Sequence, residues 1–132
     1  MRTLLPPGWP RPKGYSNGVE AEGRLVFVAG QVAWDSQERI VGGDLAAQVG
    51  QALKNIVAVL AVAGAAPSHI VRMTWFVTDK REYQGALQAI GEQYRAVIGL
   101  HYPAMSVVAV TGLVEDGARV EIEATAVVPH SG

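Results

Sequence analysis

One apolar pattern, from Asp44 to Gly64, constrains the fold of this chain more than any other feature. Apolar residues recur inside it at helical spacing: Leu45, Val49, Ala52, Leu53, Ile56, Val57 and Leu60. Asp44 is suited to cap the first turn of a helix, and Gly64 is suited to end it. The pattern therefore predicts a helix that buries one side against another layer of the fold.

Runs that favour β-strands lie on both sides of this helix. Residues 25–29 and 31–34 form two short runs separated by Gly30, which predicts a hairpin or a meander with Gly30 at a bulge or a close backbone approach. Residues 70–77 form a third run. We expect Val71, Met73, Trp75 and Val77 to share one of its faces, and both faces to be largely covered.

A second helix is predicted over residues 82–98, ending at Gly99. Its apolar stripe consists of Tyr83, Leu87, Ile90, Tyr94 and Ile98. Residues 104–110 and 119–128 then favour two further strands. The order β-β-β-α-β-α-β-β predicts an α+β fold with a mixed β-sheet and two helices on one face.

The length of 132 residues predicts one domain, residues 1–132. Residues 1–18 are rich in proline and glycine, so we expect an extended N-terminal arm that lies over the surface, with Trp9 as its anchor.

Composition disfavours several classes of protein. Eleven basic and twelve acidic residues leave no net field for a polyanion, so nucleic acid is not an expected partner. There is no cysteine, which excludes disulfides and agrees with a reducing compartment. No stretch looks long and apolar enough to cross a bilayer, so no membrane partner is expected and we predict a soluble, cytoplasmic protein. His69, His101 and His130 lack metal-ligand spacing, so neither a metal nor a cofactor is expected.

The predicted sheet has a second face that the helices leave uncovered. Its strands look apolar on both sides, with Val120, Ile122, Ala124 and Ala126 forming one row of the last strand. An uncovered apolar face is usually buried by another subunit, and a closed ring achieves this for every copy. We therefore expect an oligomer.

The run His101-Tyr102-Pro103-Ala104-Met105-Ser106, followed by residues 120–127, resembles the C-terminal signature of the Rid family, also called the YjgF family. Further pieces of the resemblance follow in the right order along the chain: Gly14-Tyr15-Ser16-Asn17-Gly18-Val19, Ala29-Gly30-Gln31-Val32, Gly43-Asp44 with Gln48, Leu53 and Asn55, and Phe76-Val77-Thr78-Asp79. The resemblance covers nearly the whole chain. It implies a chorismate-mutase-like homotrimer with small-molecule clefts between subunits, and hydrolysis of reactive enamines and imines to a ketone and ammonia.

The resemblance also implies a set of site residues. Tyr15 matches the tyrosine that lines the family's cleft, and Glu121 matches the glutamate that positions or activates the hydrolytic water. Backbone groups near Ala104 are expected to hold the substrate or that water. Three positions depart from the family: Ala29 replaces a serine, Gly91 replaces an asparagine and Met105 replaces the arginine that binds the substrate's carboxylate.

Met105 puts the usual substrate in doubt, because a thioether has no hydrogen-bond donor. Hydrogen bonds to charged groups contribute about 1.5 to 3 kcal/mol each, so loss of a bidentate pair predicts at least about tenfold to a hundredfold weaker binding. Three interpretations remain. Met105 fills space, or the site accepts a less acidic and more apolar substrate, or another cation, Lys13 or Arg11, reaches the cleft. His101 is a further candidate for the cleft, although a loop histidine bonded to backbone is commoner.

Glu121 also has an alternative interpretation, because Glu123 shares its face of the strand and either side chain can simply be solvated. If the two carboxylates are buried together, each would raise the pKa of the other, as suits a general base. The sequence thus favours a Rid-like hydrolase with Glu121 as its catalytic residue. The alternatives are a non-catalytic ligand-binding or regulatory trimer and, against the neutral charge balance, an endoribonuclease or translation inhibitor.

Overall fold

The structure, a computed structural model, describes residues 1–130. Its elements in chain order are β1 (Arg2–Leu4), β2 (Gly18–Glu20), β3 (Arg24–Gln31), α1 (Leu45–Val62), a 3₁₀ turn (Pro67–His69), β4 (Ile70–Val77), α2 (Lys80–Gly85), α3 (Leu87–Val97), β5 (Ala104–Ala109) and β6 (Val120–Val128). The main sheet has the order β3-β6-β4-β5, in which only β4 and β5 are parallel. The predicted α+β fold with a mixed sheet is confirmed.

The core lies between one face of the sheet and the helices. The inner side of α1 packs against β3, β6 and α3. Its centre consists of fully buried side chains: Leu53, Ile56, Leu60, Met73, Trp75, Val120 and Ile122. Asp44 caps α1 by accepting a hydrogen bond from the Ala47 amide, as predicted, and Gly64 follows the helix in a left-handed conformation with φ 71°.

The second predicted helix is divided in two. Residues 82–98 were expected to form one helix, but α2 ends at Gly85 and Ala86 leaves helical geometry with φ −116° and ψ 14°. Glycine is a poor residue for a helix interior, and it lies where the chain changes direction. Leu87, expected in the buried stripe, is 54% exposed in the single chain.

The hairpin predicted before α1 is also wrong, because residues 24–31 form one continuous strand. A register shift between Val28 and Gln31 accommodates Gly30 within β3. The bulge predicted at Gly30 is thus confirmed. After Gln31 the chain leaves the sheet, and Trp34 forms only an isolated bridge with Ile40.

The N-terminal arm is joined to the rest of the chain at two places. β1 pairs with β2 in an antiparallel ribbon, and Arg2 forms a 2.9 Å ion pair with Glu20. Near the other end of the arm, the Ser16 amide donates a 3.0 Å hydrogen bond to the Pro103 carbonyl. The anchoring role expected for Trp9 is wrong for the single chain, because this side chain lies in a turn and is 56% exposed.

The face of the sheet opposite the helices, here called the open face, is less apolar than predicted. The row of alternating apolar residues on β6 lies entirely on the helix side and is buried. The open face carries Arg72 and Glu123 beside exposed apolar residues, among which Leu25 is 61% and Phe27 is 72% exposed. The expectation that both faces of β4 are covered is therefore wrong for one chain, since Arg72 is exposed.

α1 corrects one further expectation. This 18-residue helix has a mean hydropathy of 1.5 and is long and apolar enough to span a membrane on those two measures alone. Half of the stretch is buried inside the fold. Packing against the sheet therefore accounts for its apolar composition.

Candidate functional site

A cavity of about 600 Å³ opens between α3 and the edge strand β5. Tyr15, Gly91 and Met105, three of the residues predicted to bind substrate, line it together. The arm forms one wall through Lys13, Gly14 and Tyr15. Aromatic and aliphatic side chains complete the cavity: Trp75, Tyr83, Leu87, Ile90, Tyr94, Tyr102 and Val107.

The aromatic wall is fixed by contacts between α3, β4 and the segment before β5. Tyr94 stacks on Tyr102 with ring centroids 5.5 Å apart, and its ring lies 6.4 Å from that of Trp75. Its hydroxyl donates a hydrogen bond to the His101 carbonyl. Burial raises the pKa of Tyr94 well above its ordinary value, and nearby Tyr102 adds to the effect, so the hydroxyl stays neutral and acts as a donor.

Trp75 brings an unpaired donor to this region. Among the described residues, its Nε1 is the buried side-chain nitrogen or oxygen atom that lacks a hydrogen-bond partner. Buried polar groups are nearly always paired. The indole also belongs to the cavity wall, where it adds an apolar surface.

Two cations line the cavity, Lys13 from the arm and Arg95 from α3. The predicted alternative that Lys13 lies near Met105 therefore agrees with the geometry. Arg11 instead lines a second cavity together with His101. Nε2 of His101 lies 2.7 Å from the Ile70 carbonyl oxygen, as expected of a loop histidine bonded to backbone.

Sequence reasoning missed Arg95. The signal was present, because Tyr83, Leu87, Gly91 and Arg95 recur at four-residue spacing and all line the cavity. Only the first two were assigned to the apolar stripe, since a glycine and an arginine do not extend such a stripe. The same spacing explains why Leu87 is exposed, for it faces the cavity rather than the core.

Glu121 lies on the other face of the sheet. It pairs with Phe76 across the strands and alternates with Ile122, which faces the core. The Glu121 carboxylate lies against the bulge at Gly30, where an added Cβ would come within 2.7 Å of its Cδ. The nearest neighbour of Gly30 is thus a side chain, and not the backbone that was predicted as the alternative to a bulge.

The predicted site residues therefore divide between the two faces. Ala29 lies on the open face with Glu121, whereas Met105 pairs with buried Met73 and faces the helices. Ala104 is half-buried and forms an isolated bridge with Ser16. One chain does not bring Glu121 and Met105 into one site.

The acidic pair on β6 is not buried together, because Glu121 is half-buried and Glu123 is exposed. The burial of both carboxylates together, on which that prediction depended, is therefore absent in one chain. Within residues 1–130, no group of three or more His, Cys, Asp or Glu side chains is placed to hold a metal ion.

Comparison with known proteins identifies close relatives of this chain. A family model described as "Endoribonuclease L-PSP" matches residues 10–128. Protein DfrA of Myxococcus xanthus is 35% identical over 115 residues, which cover 86% of this chain and 84% of that protein. A protein of Salmonella typhimurium named 2-iminobutanoate/2-iminopropanoate deaminase is 34% identical over 113 residues, covering 86% of each chain.

Solved structures of related proteins share the fold of this chain. The crystal structure of YyfB from Yersinia pestis, described as a protein of unknown function of the conserved Rid family, superposes with a TM-score of 0.84. It is 38% identical, and the match covers 96% of this chain and 98% of that one. Sequence and fold agree over nearly the full length, and this chain belongs to the Rid (YjgF) family.

Proposed function

We propose that this protein hydrolyses a reactive enamine or imine to a ketone and ammonia. The observation that carries the proposal is the Glu121 carboxylate, which lies beside the glycine bulge of β3 in space that any other side chain at position 30 would fill. Relatives named 2-iminobutanoate/2-iminopropanoate deaminase support the reaction class at 31% and 34% identity.

In the proposed reaction, Glu121 orients a water molecule or takes its proton as the oxygen attacks the imine carbon. The C=N bond becomes a single bond in the resulting carbinolamine. Proton transfer to nitrogen then lets the C–N bond break, so that ammonia leaves and the ketone remains. Backbone groups near Ala104 hold the substrate or the water, and Tyr15 closes the cavity.

We also propose a homotrimer, in which the open face of one subunit covers the cavity of the next. Two features support it. The exposed side chains of Leu25 and Phe27 leave apolar area that a second copy would bury. Glu121 and Met105 lie on opposite faces of the sheet, so a shared site needs one from each subunit. A cytoplasmic location remains a prediction.

The proposed substrate is not the usual small imine. The cavity is lined by several aromatic rings, and Met105, Gly91 and Ala29 make the combined site less polar than the family's. The replacement of the family's arginine by Met105, considered without the other residues, predicts a less acidic substrate with a larger apolar body.

The first test is ammonia release from freshly generated imines and enamines, charged and neutral, small and bulky. We expect acceleration of the bulky members by the wild type, its loss in Glu121→Ala, and its retention in Glu123→Ala, the matched control on the same strand and face. If no member is accelerated by a folded protein, the hydrolase proposal fails and the non-catalytic ligand-binding or regulatory trimer replaces it. Cleavage of RNA would favour the endoribonuclease alternative instead.

Subunit mixing tests the shared site. Glu121→Ala keeps the cavity, while Met105→Trp fills the cavity and keeps the glutamate, so each variant alone should be inactive. After joint refolding, about one quarter of the sites in a randomly mixed ring combine an intact cavity with an intact glutamate, and activity should return in proportion. Two inactive variants that stay inactive when mixed in verified hetero-oligomers would contradict the shared site.

A further inference from the structure

We propose that Arg95 binds a carboxylate of the ligand from the α3 wall of the cavity, in place of the arginine missing at position 105. The ligand would then be a carboxylic acid with a bulky apolar or aromatic body. This inference rests on the proposed function for its substrate, an acid-bearing imine or enamine, but the binding itself can be measured without turnover.

The first support is the space that Gly91 leaves beside the cavity. A Cβ at position 91 would lie 3.1 Å from Nη1 of Arg95 and 3.7 Å from Nη2, tighter than ordinary van der Waals contact for the first atom. The guanidinium therefore lies so close to position 91 that a larger residue there would push it aside. Gly91 and Arg95 are four residues apart on α3, and both line the cavity opposite Met105.

The second support is that the guanidinium has no partner of its own. In the described part of the chain, the ion pairs involve Arg2, Arg39 and Arg119, and Arg95 takes part in none of them. A planar guanidinium offers donors that match the two oxygens of a carboxylate. Its donors are thus available to a ligand.

The remaining walls define the rest of the ligand. Tyr94, Tyr102 and Met105 offer an apolar surface for a ring or branched chain, and the Trp75 ring belongs to the same wall. Lys13 supplies a second positive charge from the arm. Two cations beside an apolar wall fit an anion with an apolar body, and they fit a neutral molecule less well.

The experiment measures binding by calorimetry, with phenylpyruvate as a stable 2-oxo acid probe and its methyl ester as the neutral match. We expect the wild type to bind the acid at least about tenfold more tightly than the ester. Arg95→Gln should remove most of that preference while leaving ester binding unchanged, because Lys13 remains as the weaker of the two cations. Arg81→Gln, an exposed arginine on α2 that does not line the cavity, should behave as the wild type.

A double variant shows whether any loss of binding in Arg95→Gln comes from the missing guanidinium or from a disturbed fold. Adding Met105→Arg to Arg95→Gln should restore the preference for the acid, because the guanidinium then approaches from β5. Unchanged preference in a folded Arg95→Gln protein would overturn the proposal, as would equal binding of acid and ester by the wild type. Inorganic phosphate competing as well as the acid would also overturn it, since the apolar body would then contribute nothing.

The test of the Arg95 site and the test of the proposed hydrolase can fail independently. Acid binding that depends on Arg95 without ammonia release from any imine would uphold the carboxylate site and reject the hydrolase. Ammonia release that depends on Glu121 but is indifferent to Arg95 and to ligand charge would do the reverse.

Discussion

Two glycines in this molecule, Gly30 and Gly91, each make room for a charged side chain, but they do so in different settings. Gly30 lies in a bulge of β3, and Glu121 reaches it from the neighbouring strand on a short side chain. Gly91 lies on α3, and Arg95 reaches it from the same helix on a long, exposed side chain. Glu121 is half-buried, whereas Arg95 is exposed and has more freedom to move. The difference agrees with the two proposed roles, since a catalytic group acts on one atom and a binding group can accept varied ligands.

The largest expected effects are kinetic, and they differ between Glu121 and Arg95. Glu121→Gln should lower kcat about a hundredfold or more, because general-base assistance typically contributes that much, with KM little changed. Arg95→Gln should raise KM for acidic substrates about tenfold or more and leave kcat nearly intact. Steady-state ammonia release at varied substrate concentration measures both. A fall in kcat for both variants would contradict the assignment of Glu121 to the reaction and of Arg95 to ligand binding.

Gly30→Ala should have the next largest effect. The three atoms nearest to the new Cβ all belong to the flexible Glu121 side chain, so we expect the carboxylate to move while the fold is retained. We expect kcat to fall about tenfold, because a small displacement of a catalytic group is costly, and ligand affinity to stay constant. Denaturant titration provides the control. If kcat falls only in step with lost stability, the position of the carboxylate is not the cause.

Gly91→Ala should instead change stability and ligand affinity. An alanine in a helix interior stabilises by up to about 1 kcal/mol relative to glycine, so the free energy of unfolding should rise. Its Cβ displaces the guanidinium by a few tenths of an ångström, and acid binding should weaken a few-fold. In the Arg95→Gln background the substitution should leave binding unchanged. A loss of affinity there would mean that Gly91 acts on the ligand directly.

The smallest expected effect is that of salt. Arg95 is exposed, so raising ionic strength from about 0.05 M to about 0.5 M should weaken acid binding by about threefold through screening. Binding of the methyl ester should not change, and the slope should flatten in Arg95→Gln. Calorimetry at several salt concentrations measures it. Equal salt dependence for acid and ester would contradict a direct ion pair.

The sequence predicted best where one local pattern determines the structure. Asp44 capping α1, the strand Ile70–Val77 and the bulge at Gly30 all follow from short-range rules of spacing and backbone conformation. Glu121 was found through the family motif, but its position beside Gly30 was not predicted.

The remaining features depend on how elements meet in space. The exposure of Leu87 arises because one side of α3 borders a cavity, while Ile90 and Tyr94 of the same helix pack in the core. The division of site residues between two faces follows from the register of β5 and β6 on β4, which periodicity alone does not set. Arg95 escaped notice because its role depends on a missing side chain one turn earlier.

The N-terminal arm has a consequence for how this fold diversifies. Its residues Lys13, Gly14 and Tyr15 form a wall of the cavity, yet near them the arm is joined to the sheet through Ser16 rather than through the core. Exchanging these residues would change that wall without disturbing α1, the bulge or the glutamate. Variation in the arm would thus alter the shape and charge of the cavity while the proposed catalytic carboxylate stays in place.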